Sequence, residues 1–183
     1  MKYKYLKLII AIFLVSSLPI NSVYAKSSLT TAGDILQIAI PVTALGVSYL
    51  KDDTEGEKQF IKSFVVTTGL THALKFALKD TQLDKRPNGG HYSFPSGHSA
   101  SAFQGAFFLQ QRYGIEYGAP AIALAGLTGY SRVKGDYHHW RDVIGGTILA
   151  YAVNYFMVSK YEVKNMIVHF DKETAMLDFK YQF

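Results

Sequence analysis

Residues 93–111, SFPSGHSASAFQGAFFLQQ, pass from a polar turn into an apolar helix, and this transition organises the chain around it. Ser96 is suited to cap a helix running from Ser99 to Gln111, whose three alanines and paired Phe107 and Phe108 supply a packing side. Backbone N–H groups at such a start carry partial positive charge, and Gly97 allows the main chain to approach a bound phosphate closely. Taken alone, Pro95-Ser96-Gly97-His98 is better read as an ordinary cap with a stray histidine.

Outward from this point the helical pattern repeats. Apolar stretches at 35–50, about 60–78, 119–130 and about 139–158 have helical character, with Pro41 as a kink in the first. They are separated by a charged turn at 51–58, an irregular loop at 79–95 with two prolines and the pair Gly89-Gly90, and a loop at 132–137. The expected fold class is all-α: a bundle of about five core helices with the active site in the inter-helix loops at one end. Beyond Tyr161 the texture changes. Val163, Met166, Val168 and Phe170, then Ala175, Leu177, Phe179 and Tyr181, mostly alternate around Asp171-Lys172-Glu173, which predicts a C-terminal β-hairpin or an arm along the core.

The chain is 183 residues long, 49% hydrophobic and 18% charged, enough for a substantial core and too apolar for disorder. Lys2, Lys4 and Lys7, an apolar run at 8–15 and Val23-Tyr24-Ala25 form an export signal over residues 1–25, or else an uncleaved first membrane helix. Residues 26–160 then make the helical domain and 161–183 the hairpin or arm. The formal charge of +5 falls to 5 − 3 = +2 without the three signal lysines, which argues against nucleic-acid binding. Cysteine is absent, so thiolate catalysis and cysteine-held metals are excluded. Two uncharged 16-residue stretches, 35–50 and 143–158, are slightly short for bilayer spans. Lys62, His72, Lys75, Gln104, Gln110 and Gln111, with a mean hydropathy of +0.07, count against insertion. A membrane-associated protein with a polar end and a soluble periplasmic bundle both fit.

Three polar clusters fall in the connections. Lys79 is followed after six residues by Arg86-Pro87; next comes Pro95-Ser96-Gly97-His98; last is Ser131-Arg132, then His138 and, four residues on, Asp142. The last spacing places an imidazole and a carboxylate on one helix face, so that Asp142 holds one ring nitrogen and leaves the other free to attack. Jointly the clusters describe a phosphate site. Lys79, Arg86 and Arg132 neutralise the nonbridging oxygens, Ser96 and Gly97 add neutral donors, His138 attacks phosphorus, and His98 protonates the leaving oxygen. The scheme uses no metal and no cofactor; the cations would repel a metal ion, and His91 and His139 lack ligand spacing.

These blocks resemble the signature of the type 2 phosphatidic acid phosphatase superfamily. The resemblance covers 79–142 closely and, through the helix layout, roughly 34–158. It implies an all-α core, a phosphohistidine intermediate, and a lipid phosphate, isoprenyl diphosphate, lipid A or small phosphate monoester as substrate; either reading of residues 1–25 turns the site toward the periplasmic side of a bacterial envelope. No obligate protein partner follows from it. A non-catalytic protein binding anionic headgroups through the same basic pocket is the alternative of a different class, though mere binding would not need His98, His138 and Asp142.

Overall fold

A computed structural model describes residues 28–162, 165–170 and 175–180. The export signal expected over 1–25 lies outside them. Five helices follow in order: α1 Ser28–Leu50, α2 Thr54–Ala77, α3 Gly97–Tyr113, α4 Ile115–Lys134 and α5 Trp140–Met157. α1 continues through Pro41 as one helix. α2 starts earlier than its apolar pattern because the Asp53 side chain accepts from Gly56 N at 2.9 Å and caps it. α4 extends past Tyr130, so that Arg132, expected in a loop, sits on its last turn.

The all-α bundle is organised around α3, which packs against each of the other four helices. Ala102, Ala106, Phe108 and Leu109 of α3 meet Phe60 and Phe64 of α2, Ala121 and Ala125 of α4, and Ala150 of α5. The Phe60 and Phe108 rings meet edge to face at 5.1 Å. Small residues let the helices come close: a Cβ on Gly146 of α5 would lie 2.6 Å from Ser96 O and 3.1 Å from Ala100 N. That approach presses the start of α5 onto the start of α3.

Of the polar residues that argued against a membrane, Gln104 and Lys75 are turned inward, while Lys62, His72 and Gln110 are exposed. Gln104 is fully buried and donates to Ser63 Oγ at 2.8 Å, while Lys75 reaches the carbonyl of Tyr92 at 2.6 Å. Meanwhile Ile35, Ile38 and Val42 of α1, Leu124 and Leu127 of α4, and Ile144, Ile148 and Phe156 of α5 are exposed. Among the described helices, α1 is the one long and apolar enough to cross a bilayer core of roughly 30 Å by length and composition. Lys62 and His72 on α2, Thr43 on α1 and Gln110 on α3 are among the polar residues on this outer surface.

The expected C-terminal hairpin is not supported as part of this fold. Segments Asn165–Phe170 and Ala175–Lys180 run antiparallel, but the turn at 171–174 lies outside the described residues. Two strands alone are marginal in water, and nothing below rests on them.

Candidate active site

One end of the bundle gathers the end of α2, the loop 78–96, the start of α3, the end of α4 and the start of α5. Asp142 ties these parts together. Its carbonyl accepts from Ser96 N at 2.9 Å, and its Oδ2 accepts from Ser93 Oγ at 2.5 Å and from His139 N at 2.9 Å. The residue is fully buried and closes the first turn of α5 as its N3 acid. Two blocks far apart in sequence are thereby held at one point.

His138 is 3% exposed and its Nδ1 stands 3.5 Å from Asp142 Oδ2, within ion-pair reach but longer than a good hydrogen bond. Its Nδ1 and Asp142 Oδ1 are buried without hydrogen-bond partners among the described residues. Burial pulls the His138 imidazole down to about 4; Asp142 opposes this, and the nearby Arg86 and Lys75 cations reinforce it. At neutral pH the ring is therefore an uncharged base with a free electron pair.

Arg86 and Arg132 both reach this end. Arg86 donates through Nε to His91 O at 2.8 Å, leaving its terminal nitrogens without hydrogen bonds among the described residues. Asp84 supports that loop from beneath: its carboxylate accepts from Tyr92 N at 2.6 Å and pairs with His91 Nδ1. Arg132 is buried, donating to Ser131 Oγ at 3.0 Å and to Asp34 Oδ1 at 2.7 Å. His98, the second residue of α3, is half-buried, and its Nε2 lies 3.0 Å from the same Asp34 oxygen. The N–H groups of Gly97 and His98 belong to the first turn of α3, where helices leave donors unpaired.

Two expected donors are placed differently. Lys79 is exposed, past the end of α2, and its ammonium makes no hydrogen bond or ion pair among the described residues. Lys75 takes the inward place. Thr67, Thr71 and Lys75 follow one another at four-residue steps on the packed face of α2, and the helix ends at Ala77 before that stripe reaches Lys79. Ser96 is buried, with its N–H bonded to Asp142 O and its Oγ capping Ser99 N at 3.4 Å, which makes it a strut of the site.

Sequence reasoning also missed Ser93 and Asp34, which have no local partner to mark them. A signal for Asp34 does exist, since it is the lone charge in an otherwise uncharged 23-residue helix; a charge so placed needs a partner.

Residues 59–166 match the sequence profile of the PAP2 superfamily. The lipid A 4'-phosphatase of Helicobacter pylori is 31% identical over 177 residues, spanning 92% of this chain and 88% of that protein. The lipid A 1-phosphatase of the same bacterium is 34% identical over 117 residues, 61% of this chain and 58% of that protein. The crystal structure of Aquifex aeolicus LpxE has the same fold, with a TM-score of 0.61 at 20% identity over 82% of this chain and 93% of that one.

Proposed function

Because the chain belongs to the PAP2 superfamily, we propose that it is a membrane-embedded phosphatase that removes a phosphate monoester from a lipid headgroup through a phosphohistidine at His138. One observation carries this reading. Lys75 and Arg86 are cations without a carboxylate partner among the described residues, within electrostatic reach of a neutral, buried histidine. A pocket with surplus positive charge beside an uncharged nucleophile suits a phosphate dianion.

In the proposed reaction Lys75, Arg86, Arg132 and the first N–H groups of α3 hold the nonbridging oxygens. The Nε2 atom of His138 attacks phosphorus while Asp142 steadies the charge appearing on the ring. His98 gives its proton to the departing oxygen, then takes one from the water that cleaves the P–N bond. None of these steps calls on a metal.

The lipid substrate class is supported by the lipid A phosphatases among the relatives and by the apolar exterior of α1, α4 and α5. Tyr130 and Trp140, whose rings lie 6.4 Å apart, sit exposed at the catalytic end, with Tyr117 and Tyr155 exposed toward the other. Such aromatic residues suit the two edges of a bilayer. The catalytic end is also where α1 begins, so a chain whose first 25 residues are exported or cross outward would present it on the periplasmic side.

Phosphate release from a panel of phosphorylated saccharolipids, isoprenyl phosphates and soluble esters tests the reading. Release from the lipids that disappears in His138→Ala is expected; undiminished release in that variant would refute the mechanism. Recovery of the active protein in the soluble fraction without detergent would favour a broad-specificity periplasmic acid phosphatase instead.

A further inference from the structure

Asp34 belongs to none of the three sequence blocks, yet its Oδ1 lies 2.7 Å from Arg132 Nη1 and 3.0 Å from His98 Nε2. Its side chain is 23% exposed and that of His98 31%, so the pair borders the pocket. Gly33 makes the contact possible, because a Cβ there would overlap Ser131 Oγ and lie 2.9 Å from Arg132 Nη2. Helix α1 thus carries its lone charged side chain to the site at the point of closest approach. Packing alone would not require a carboxylate here.

We propose that Asp34 is a positioning residue for proton transfer, forming with His98 a second histidine–carboxylate pair opposite His138 and Asp142. A carboxylate only accepts hydrogen bonds, so His98 Nε2 is the nitrogen that carries its hydrogen toward Asp34. That leaves Nδ1 to handle the transferred proton. As the P–O bond breaks, the Nδ1 proton passes to the leaving oxygen, and the ring becomes neutral with Nε2–H still on Asp34. In the second half-reaction Nδ1 takes a proton from the water whose oxygen bonds to phosphorus, and the P–N electron pair returns to His138. Without Asp34 the ring can turn or take the other tautomer.

The inference rests on the proposed role of His98 and is tested through the leaving group. Two substrates bearing the same long chain, an alkyl phosphate and a nitrophenyl phosphate, are compared by kcat/KM on the full-length protein in detergent. The nitrophenolate departs without a proton; the alkoxide does not. Asp34→Asn is expected to lower kcat/KM for the alkyl ester about 100-fold and for the aryl ester less than about 5-fold. His98→Ala should show the same selectivity, and Asp34→Asn should add little in that background. Equal losses on both substrates, or an undiminished further loss in the His98→Ala background, would overturn the role of Asp34. If His98→Ala itself shows no selectivity, the assignment of His98 as the acid fails first. Should Asp34→Asn melt below the assay temperature, Asp34→Glu is read by the same ratio.

Discussion

The two polar ends of the bundle are built from similar groups and treat charge in opposite ways. At the end away from the site, Arg112 donates through Nε and Nη2 to both oxygens of Asp53, at 2.7 and 2.6 Å. Its Nη1 binds the carbonyls of Ser159 and Lys160, both at 3.0 Å. Asp53 also accepts from Gly56 N, and its Oδ2 lies 2.8 Å from the Tyr113 hydroxyl. Both charges of this buried pair are answered within the chain, and the segment after α5 is locked onto the ends of α1 and α3. At the catalytic end, among the described residues, Lys75 and Arg86 lack a carboxylate partner, and His138 Nδ1 and Asp142 Oδ1 are left without hydrogen bonds. A completed ion pair holds a fold together; an incomplete one is poised for an arriving anion.

Substitutions at the two ends should therefore fail in different ways. His138→Ala should abolish phosphate release, by about 10⁴-fold or more, while the melting midpoint of the detergent-solubilised protein hardly falls. Arg112→Met should do the reverse. Leaving Asp53 buried and unpaired is expected to cost about 3–5 kcal/mol of stability, seen as earlier thermal unfolding with the turnover of the folded fraction kept. Loss of turnover in folded Arg112→Met would break the contrast.

The lysine choice sharpens it further. Lys75→Gln should lower kcat/KM about 100-fold, as expected for one lost charge-stabilising donor, whereas Lys79→Gln should stay within about 2-fold. The opposite ranking would restore the spacing-based choice. A further contrast concerns pH. The folded His138 binds its proton less readily than the unfolded ring, so between about pH 4 and the usual histidine value near 6.5 the unfolded state holds more protons. Stability contributed by this group is thus present above that window and lost as pH falls through it, by up to about 3 kcal/mol. His138→Gln should flatten that part of the stability–pH curve, and in the parent protein the His138 ring resonances should titrate near 4.

Much of the site was readable before any fold was known. His138 stands just before the N-cap of α5 and Asp142 in its first turn, and the four-residue spacing leaves them 3.5 Å apart. Ser96 announced the start of α3, and the apolar periods placed five helices, with ends shifted where Asp53 capped α2 early and α4 ran on through Arg132. The inward turn of Lys75 was not legible, because counting residues back from Arg86 ignores where a helix stops and which face it turns inward. Gln104 was taken as a mark against insertion because a sequence does not say which helix is central.

What the sequence determined by itself is the local chemistry: helical periods, a capped helix start, and a carboxylate one turn from a histidine. These depend on contacts a few residues long, and short-range geometry is nearly independent of the rest of the chain. Only the tertiary structure decided that Asp34 meets His98 across 64 positions, that Ser93 meets Asp142 across 49, and that Lys75 turns inward while Lys79 is exposed. Those pairings follow from how closely the helices approach at Gly33 and Gly146, a property of packed surfaces that no spacing along one strand of sequence encodes.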